Sequence, residues 1–161
     1  MKKIIFYYLL PLIPCSLLIL LDQTVKRWAN KRLRPVGTIS IISGFVRFAY
    51  VENRGAAFGI LQGARWIFVP LTLAALCVFA VFYSRLPKTK ASWLVRAPMI
   101  FIFAGAVGNF VDRLLKGFVI DMFEFEFISF PVFNIADMCL VAGTITTAVM
   151  IMIFQKNKSY D

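Results

Sequence analysis

"IADMCLVAGTITTAVMIMIF", residues 135 to 154, carries a single charge, Asp137, at its third position and none after it. A bilayer span needs about 20 mostly apolar residues, so this stretch reads as a membrane-crossing helix with a carboxyl group at one end. Three more windows are free of charge: Ile4 to Leu21, Trp66 to Ser84 and Ala97 to Val111. The last is short, and is expected to extend through Trp93 to Val95 or through Leu114, with Arg96 snorkelling toward the headgroups. Over 161 residues the composition is 60% hydrophobic and 16% charged, where soluble domains average roughly half and a quarter. No soluble core could use so much apolar surface. The expected fold is an all-α membrane protein: one domain spanning 1–161, with a bundle of four transmembrane helices near 4–22, 66–84, 94–114 and 133–154.

The connections are unequal. Residues 22 to 65 form a long one, Arg85 to Arg96 a short basic one, and Asp112 to Pro131 an aromatic-rich one. In the first, "TISIISGFVRFAYVE" (38–52) is rich in β-branched and aromatic residues with partial alternation. It predicts two short strands, a small β-sheet within 30–65 at the membrane surface between helices 1 and 2. Lys2, Lys3, Arg85, Lys88, Lys90, Arg96, Lys156 and Lys158 crowd into three short stretches on one side. By the positive-inside rule that side is cytoplasmic, with both termini, and the sheet is extracytoplasmic.

The net charge of +10 sits at span ends and in connections rather than on one stripe, which favours anionic membrane lipids over nucleic acid. Cys15, Cys77 and Cys139 lie inside apolar runs without C-x-x-C spacing and read as small buried hydrophobes, with no disulfide expected. The absence of histidine excludes a Ser-His-Asp triad and any His-ligated metal. Lys2 and Lys3 followed by an apolar run and "LIPCS" imitate a lipoprotein signal. Pro14 is a poor cleavage-site residue, however, and the run continues to Leu21, so a retained span is expected.

An up-down-up-down chain brings the conspicuous polar residues to one face. They are Asp22 after span 1, Asn53 and Arg54 before span 2, Asn109, Asp112 and Arg113 ending span 3, Asp121 in the next loop, and Asn134 and Asp137 opening span 4. A membrane-embedded carboxyl costs about 2.5 to 3.5 kcal/mol at a helix centre, so Asp137 needs a reason. Either Asn134 or Asp137 caps the helix, or the group is functional. In "GAVGNFVDR" (105–113), Gly105, Asn109 and Arg113 recur one turn apart; an arginine there could face Asp112, Asp121 or Asp137. Gly105 and Gly108 alone are ordinary packing residues. In "FVIDMFEFEF" (118–127), Glu124 and Glu126 are expected to share a strand face and point into water. Asp121 differs, because its flanking Val119, Ile120, Met122 and Phe123 raise a carboxyl pKa by desolvation. If Asp121 and Asp137 meet, they hold one proton between them: one takes a proton from water while the other donates to a carbonyl oxygen, the chemistry of aspartic peptide hydrolysis. It needs neither a metal nor a cofactor.

At these residues the chain resembles lipoprotein signal peptidase, or signal peptidase II, a family of bacterial membrane aspartic peptidases. The resemblance runs in order through "LLDQTVK", "NRGAAFG", "GAVGNFVDR", "VIDMFEF" and "FNIAD". It implies removal of signal peptides from prolipoproteins, by cleavage just before a diacylglyceryl-modified cysteine, near the outer leaflet of the cytoplasmic (inner) membrane of a bacterium. By the family pattern Asp121 and Asp137 are the catalytic pair. Asp22, Asn53, Gly55, Asn109, Arg113 and Asn134 match positions that orient the dyad and hold substrate. The long connection matches the family's sheet and mobile cover loop, and cyclic peptide inhibitors of the globomycin type are implied as ligands. Met122 stands where phenylalanine is frequent in the family.

Other classes make different expectations. A four-span transporter would place its carboxylates near the bilayer midplane rather than at one interface. A Ser/Lys peptidase would use Ser40 or Ser43 with an outside lysine. A structural helper protein leaves Asp121 and Asp137 unexplained.

Overall fold

The computed structural model describes residues 2–55 and 60–158. Among them four helices are long and apolar enough to cross a membrane: α1 (Lys2–Leu33), α2 (Arg65–Arg85), α3 (Trp93–Leu115) and α4 (Ile135–Lys158). A three-stranded antiparallel sheet sits on the connections, with β1 (Thr38–Ile42) and β2 (Val46–Asn53) between α1 and α2, and β3 (Val119–Phe125) between α3 and α4. Of "NRGAAFG", residues 56–59 lie outside the described residues, and with them part of the expected cover loop.

The first helix does not stop near residue 22 but runs to Leu33, with π-helical turns at Ile5–Leu9 and Ala29–Leu33. Asp22 and Lys26, one turn apart, form an ion pair at 2.9 Å, so the polar stretch stays helical by satisfying itself. Asp22, Lys26, Ala29 and Leu33 all fall on one buried stripe. Its far end seats the sheet: Ala29 and Leu33 pack with Ile120 and Met122, flanked by Val25, Phe48, Tyr50, Phe118 and Phe123.

The sheet is larger than residues 30–65 allow. β3 pairs with β2, Phe48 opposite Phe123 and Val51 opposite Asp121, with an irregularity between those pairs. With Ile120 and Met122 turned to α1, the strand's alternation sends Asp121 to the other face. Glu124 and Glu126 are not simply solvated. Arg47 of β2 donates to Glu124 through Nε (2.7 Å) and Nη2 (2.9 Å), and Gly44 N donates to Glu126 Oε2 (2.9 Å).

Helices α3 and α4 form the tightest pair because glycines line their contact. A Cβ on Gly143 would lie 2.8 Å from Ile102 Cγ1 and 2.9 Å from Pro98 O, and one on Gly105 would run into Ala136 O. By contrast, α2 buries no side chain. It is apolar all round and faces lipid, which is why Cys77 is exposed rather than buried. Arg96 does not snorkel: it is fully buried. Its Nε donates to Ser92 Oγ (3.2 Å) and Nη2 to Leu86 O (2.8 Å), and the guanidinium carbon sits 4.5 Å from the Tyr83 ring centroid and 5.1 Å from that of Tyr7. Tyrosine faces compensate the cation in place of headgroups.

Candidate active site

The first turn of α4 explains both readings of its polar residues. Asn134 precedes the helix and its Oδ1 accepts from Asp137 N (2.9 Å), while Asp137 Oδ2 accepts from Asn134 N (3.1 Å). This is a reciprocal capping box. Asp137 therefore caps its own helix with one oxygen and leaves the other, Oδ1, for Asn109 Nδ2 at 2.7 Å.

Asp121 arrives on β3 at 2% exposure. Its Oδ1 accepts from Asn134 Nδ2 (2.6 Å) and its Oδ2 from Asn53 Nδ2 (2.9 Å). Asn134 is thus shared, bonded by its side-chain amide to Asp121 and by its cap to Asp137. Burial pushes the Asp121 carboxyl up to about 6, and the negative charge of Asp137 adds to the rise. The bonds from Asn53 and Asn134 and the charge of Lys26 oppose it. Asp121 is thus desolvated, and it shares Asn134 with Asp137.

Each remaining predicted residue has a defined place around the pair. Asn53 Oδ1 accepts from Gly55 N (3.0 Å), tying the end of β2 into a turn. Gly55 O in turn accepts from Arg113 Nη2 (3.0 Å). Asp22 reaches across from α1, its Oδ1 accepting from Ala136 N (3.0 Å) in the first turn of α4. Asn109 Oδ1 accepts from Asn134 Nδ2 (3.2 Å), so the two amides that serve the carboxylates also bond each other.

Arg113 departs from expectation. Among the described residues it forms no ion pair. Its guanidinium stands 4.9 Å from the Phe68 ring centroid and spends a donor on Gly55 O. Asp112, one of the three carboxylates it could have faced, is already held by Lys26 Nζ (2.9 Å) and Lys116 Nζ (2.8 Å).

Sequence reasoning missed Lys26 and Gln23. Lys26 is fully buried, and its Nζ reaches Asp22 Oδ2, Asp112 Oδ2 and Asn109 Oδ1, each at 2.9 Å. Gln23 Nε2 bridges Asp22 Oδ2 (3.2 Å), Gly108 O (3.2 Å) and Asp112 Oδ1 (3.3 Å). The signal was the i,i+4 spacing of Asp22 and Lys26 inside "LLDQTVK". Ser40 and Ser43 are exposed. Ser40 lies on β1, at the opposite edge of the sheet from Asp121, and among the described residues neither hydroxyl hydrogen-bonds a lysine. That arrangement has none of the nucleophile–base contact a serine peptidase requires.

Comparison with known proteins agrees with this geometry. The family model described as signal peptidase (SPase) II matches residues 15–154. A lipoprotein signal peptidase of Clostridioides difficile (strain 630) is 45% identical over 139 residues, covering 86% of this chain and 92% of that protein. One from Streptococcus agalactiae serotype Ia is 36% identical over the full length of both. A bacterial membrane enzyme solved by the in meso method at 2.3 Å resolution superposes with a TM-score of 0.81 at 28% identity, covering 94% of this chain and 92% of that one. With four membrane-length helices, a sheet at their connections and these relatives over nearly its whole length, the chain belongs to the signal peptidase II family of membrane proteases.

Proposed function

We propose that this protein removes signal peptides from bacterial prolipoproteins, cutting on the N-terminal side of a diacylglyceryl-modified cysteine with Asp121 and Asp137 as a water-activating dyad. The observation that carries it is one residue, Asn134, bonded to both carboxyl groups at the seam between sheet and bundle, its side-chain Nδ2 donating to Asp121 Oδ1 and its backbone N to Asp137 Oδ2. One carboxylate takes a proton from water as its oxygen attacks the scissile carbonyl, and the protonated partner donates to the carbonyl oxygen. When the tetrahedral diol collapses, the first carboxyl gives its proton to the departing amine while its partner takes one back from a diol hydroxyl, so the pair returns to its singly protonated form. A buried carboxyl titrating near 6 beside a second one supports such sharing. No cofactor enters the scheme.

Asp22, Asn53, Asn109 and Asn134 orient the pair, while Gly55 anchors Arg113 at the end of β2 and Arg113 offers its remaining guanidinium donors to a substrate strand. In this reading the sheet and the cover loop of the long connection between α1 and α2 lie outside the cytoplasmic membrane at its outer leaflet. Both termini are then cytoplasmic, as the basic density of the short connections favours. Substrate enters sideways from the lipid because its acyl chains stay in the bilayer, and cyclic peptides of the globomycin type would compete for the same cleft. The test presents diacylglyceryl-modified prolipoprotein in lipid vesicles, with chelator, to the wild type, Asp121→Asn and Asp137→Asn. Cleavage by the wild type alone is expected. Cutting by both variants would remove the dyad.

A further inference from the structure

We infer that Lys26 is a positioning residue for this dyad, fixing through Asn109 which amide atoms face the two carboxylates. The inference rests on the dyad reading above. An ammonium has three donors and no acceptor; Lys26 Nζ donates to Asn109 Oδ1 and stands in ion-pair contact with Asp22 Oδ2 and Asp112 Oδ2. The atom that Asn109 turns to Lys26 must therefore be its oxygen, which leaves Nδ2 for Asp137 Oδ1 at 2.7 Å. The same oxygen accepts from Asn134 Nδ2, whose other contact is Asp121 Oδ1. One cation thus orders two amides, and each carboxylate receives a donor.

The groups facing Lys26 come from every side. Asp22 lies on its own helix, Asp112 on α3 with Lys116 on its other oxygen, and Asp121 on β3 and Asp137 on α4 lie one amide further. Asp22 and Asp112 balance Lys26 and Lys116, so the cluster is neutral as a whole. The ordering of Asn109 is separable from that balance. Without Lys26 the amide of Asn109 is free to turn its oxygen toward Asp137, which favours the protonated acid.

Three variants separate position from charge: Lys26→Met, Asp22→Asn with Lys26→Met, and Lys26→Arg. Each is assayed for prolipoprotein cleavage across pH in vesicles, with thermal melting alongside. In Lys26→Met, kcat should fall roughly tenfold or more with KM nearly unchanged, and the acid limb of the profile should move up by about one pH unit. The double variant, whose cluster is neutral again, should keep the raised limb. Lys26→Arg, still all donor, should restore the limb. An unmoved limb in folded Lys26→Met, or a limb restored by the double variant, overturns the inference, as does failure of all three to fold, which would make Lys26 purely structural. Asp121→Asn and Asp137→Asn run in parallel; if they still cleave, the dyad reading fails and the inference falls with it, whereas an unmoved limb beside two inert aspartate variants overturns the inference alone.

Discussion

Substituting Gly108 by alanine should damage catalysis without touching a reacting group. A Cβ at Gly108 would lie 2.7 Å from Asp22 Oδ2 and 3.3 Å from Ala136 Cβ, so α1 and the first turn of α4 both close on this one position. Relief to an ordinary contact of about 3.4 Å requires the carboxylate to retreat by about 0.7 Å. Asp22 has nowhere easy to go, since Oδ2 holds Lys26 at 2.9 Å and Oδ1 holds Ala136 N at 3.0 Å. A retreat of that size along the second bond stretches it to about 3.7 Å and forfeits a charge-assisted hydrogen bond worth about 1.5 to 3 kcal/mol. If α4 moves instead, Asp137, the residue after Ala136, is displaced from Asp121 by several tenths of an ångström. Misplacement by about 1 Å costs on the order of a hundredfold in rate. Gly108→Ala should therefore fold with a lowered melting temperature and lose roughly tenfold to a hundredfold in kcat, with KM little changed. The assay is vesicle cleavage of lipidated prolipoprotein with thermal unfolding of the same preparation. Wild-type kcat together with wild-type melting would refute the idea that Asp22 and α4 are held by that close approach.

Asp121 should carry a stability penalty that its asparagine variant escapes. Its carboxyl is raised from 3.8 to about 6, so between those values the folded protein holds a proton that the unfolded chain has released. Stability therefore falls as pH rises through that window, and above it the penalty is about 3 kcal/mol. Asp121→Asn should melt higher than wild type at pH 7 and converge with it near pH 4; equal melting at both pH values would contradict the buried setting. Asn134→Ala should cost about 1 kcal/mol for the lost cap, abolish most cleavage, and raise the acid limb of the activity profile because Asp121 loses a donor. Ile120→Ala, in the cluster beneath β3, should destabilise by about 2 to 5 kcal/mol and lower activity in proportion to the folded fraction, as read by melting and by active-site titration.

The spans were legible because charge is costly in lipid, so its absence over a window is nearly sufficient evidence. Asp121 and Asp137 were legible for the converse reason, as carboxyls among side chains that offer no compensation. Lys26 was not, because a lysine four residues after an aspartate looks the same in a solvated loop as in a buried helix. What distinguishes the two is Asp112 and Asn109, more than eighty residues away. Arg96 likewise depends on Tyr7 and Tyr83 from two other helices, and Glu124 on Arg47 across the sheet. Local pattern gives the period and the cost of a residue; the partner that offsets the cost is set by long-range contacts that a single sequence does not display.

The placement of β3 has a consequence for biogenesis. Asp121 reaches its pocket on a strand whose neighbour, β2, was made some seventy residues earlier, and Asp137 follows only with the last helix. A chain emerging from the ribosome N-terminus first thus has Asp22, Lys26 and Asn53 in place while neither carboxyl of the pair has yet been synthesised. On the proposed dyad reading, hydrolytic capacity switches on only when the final segment enters the membrane. A partly inserted chain cannot cut its neighbours, and two fragments divided in the Arg85 to Arg96 connection should each be inert and regain cleavage when expressed together.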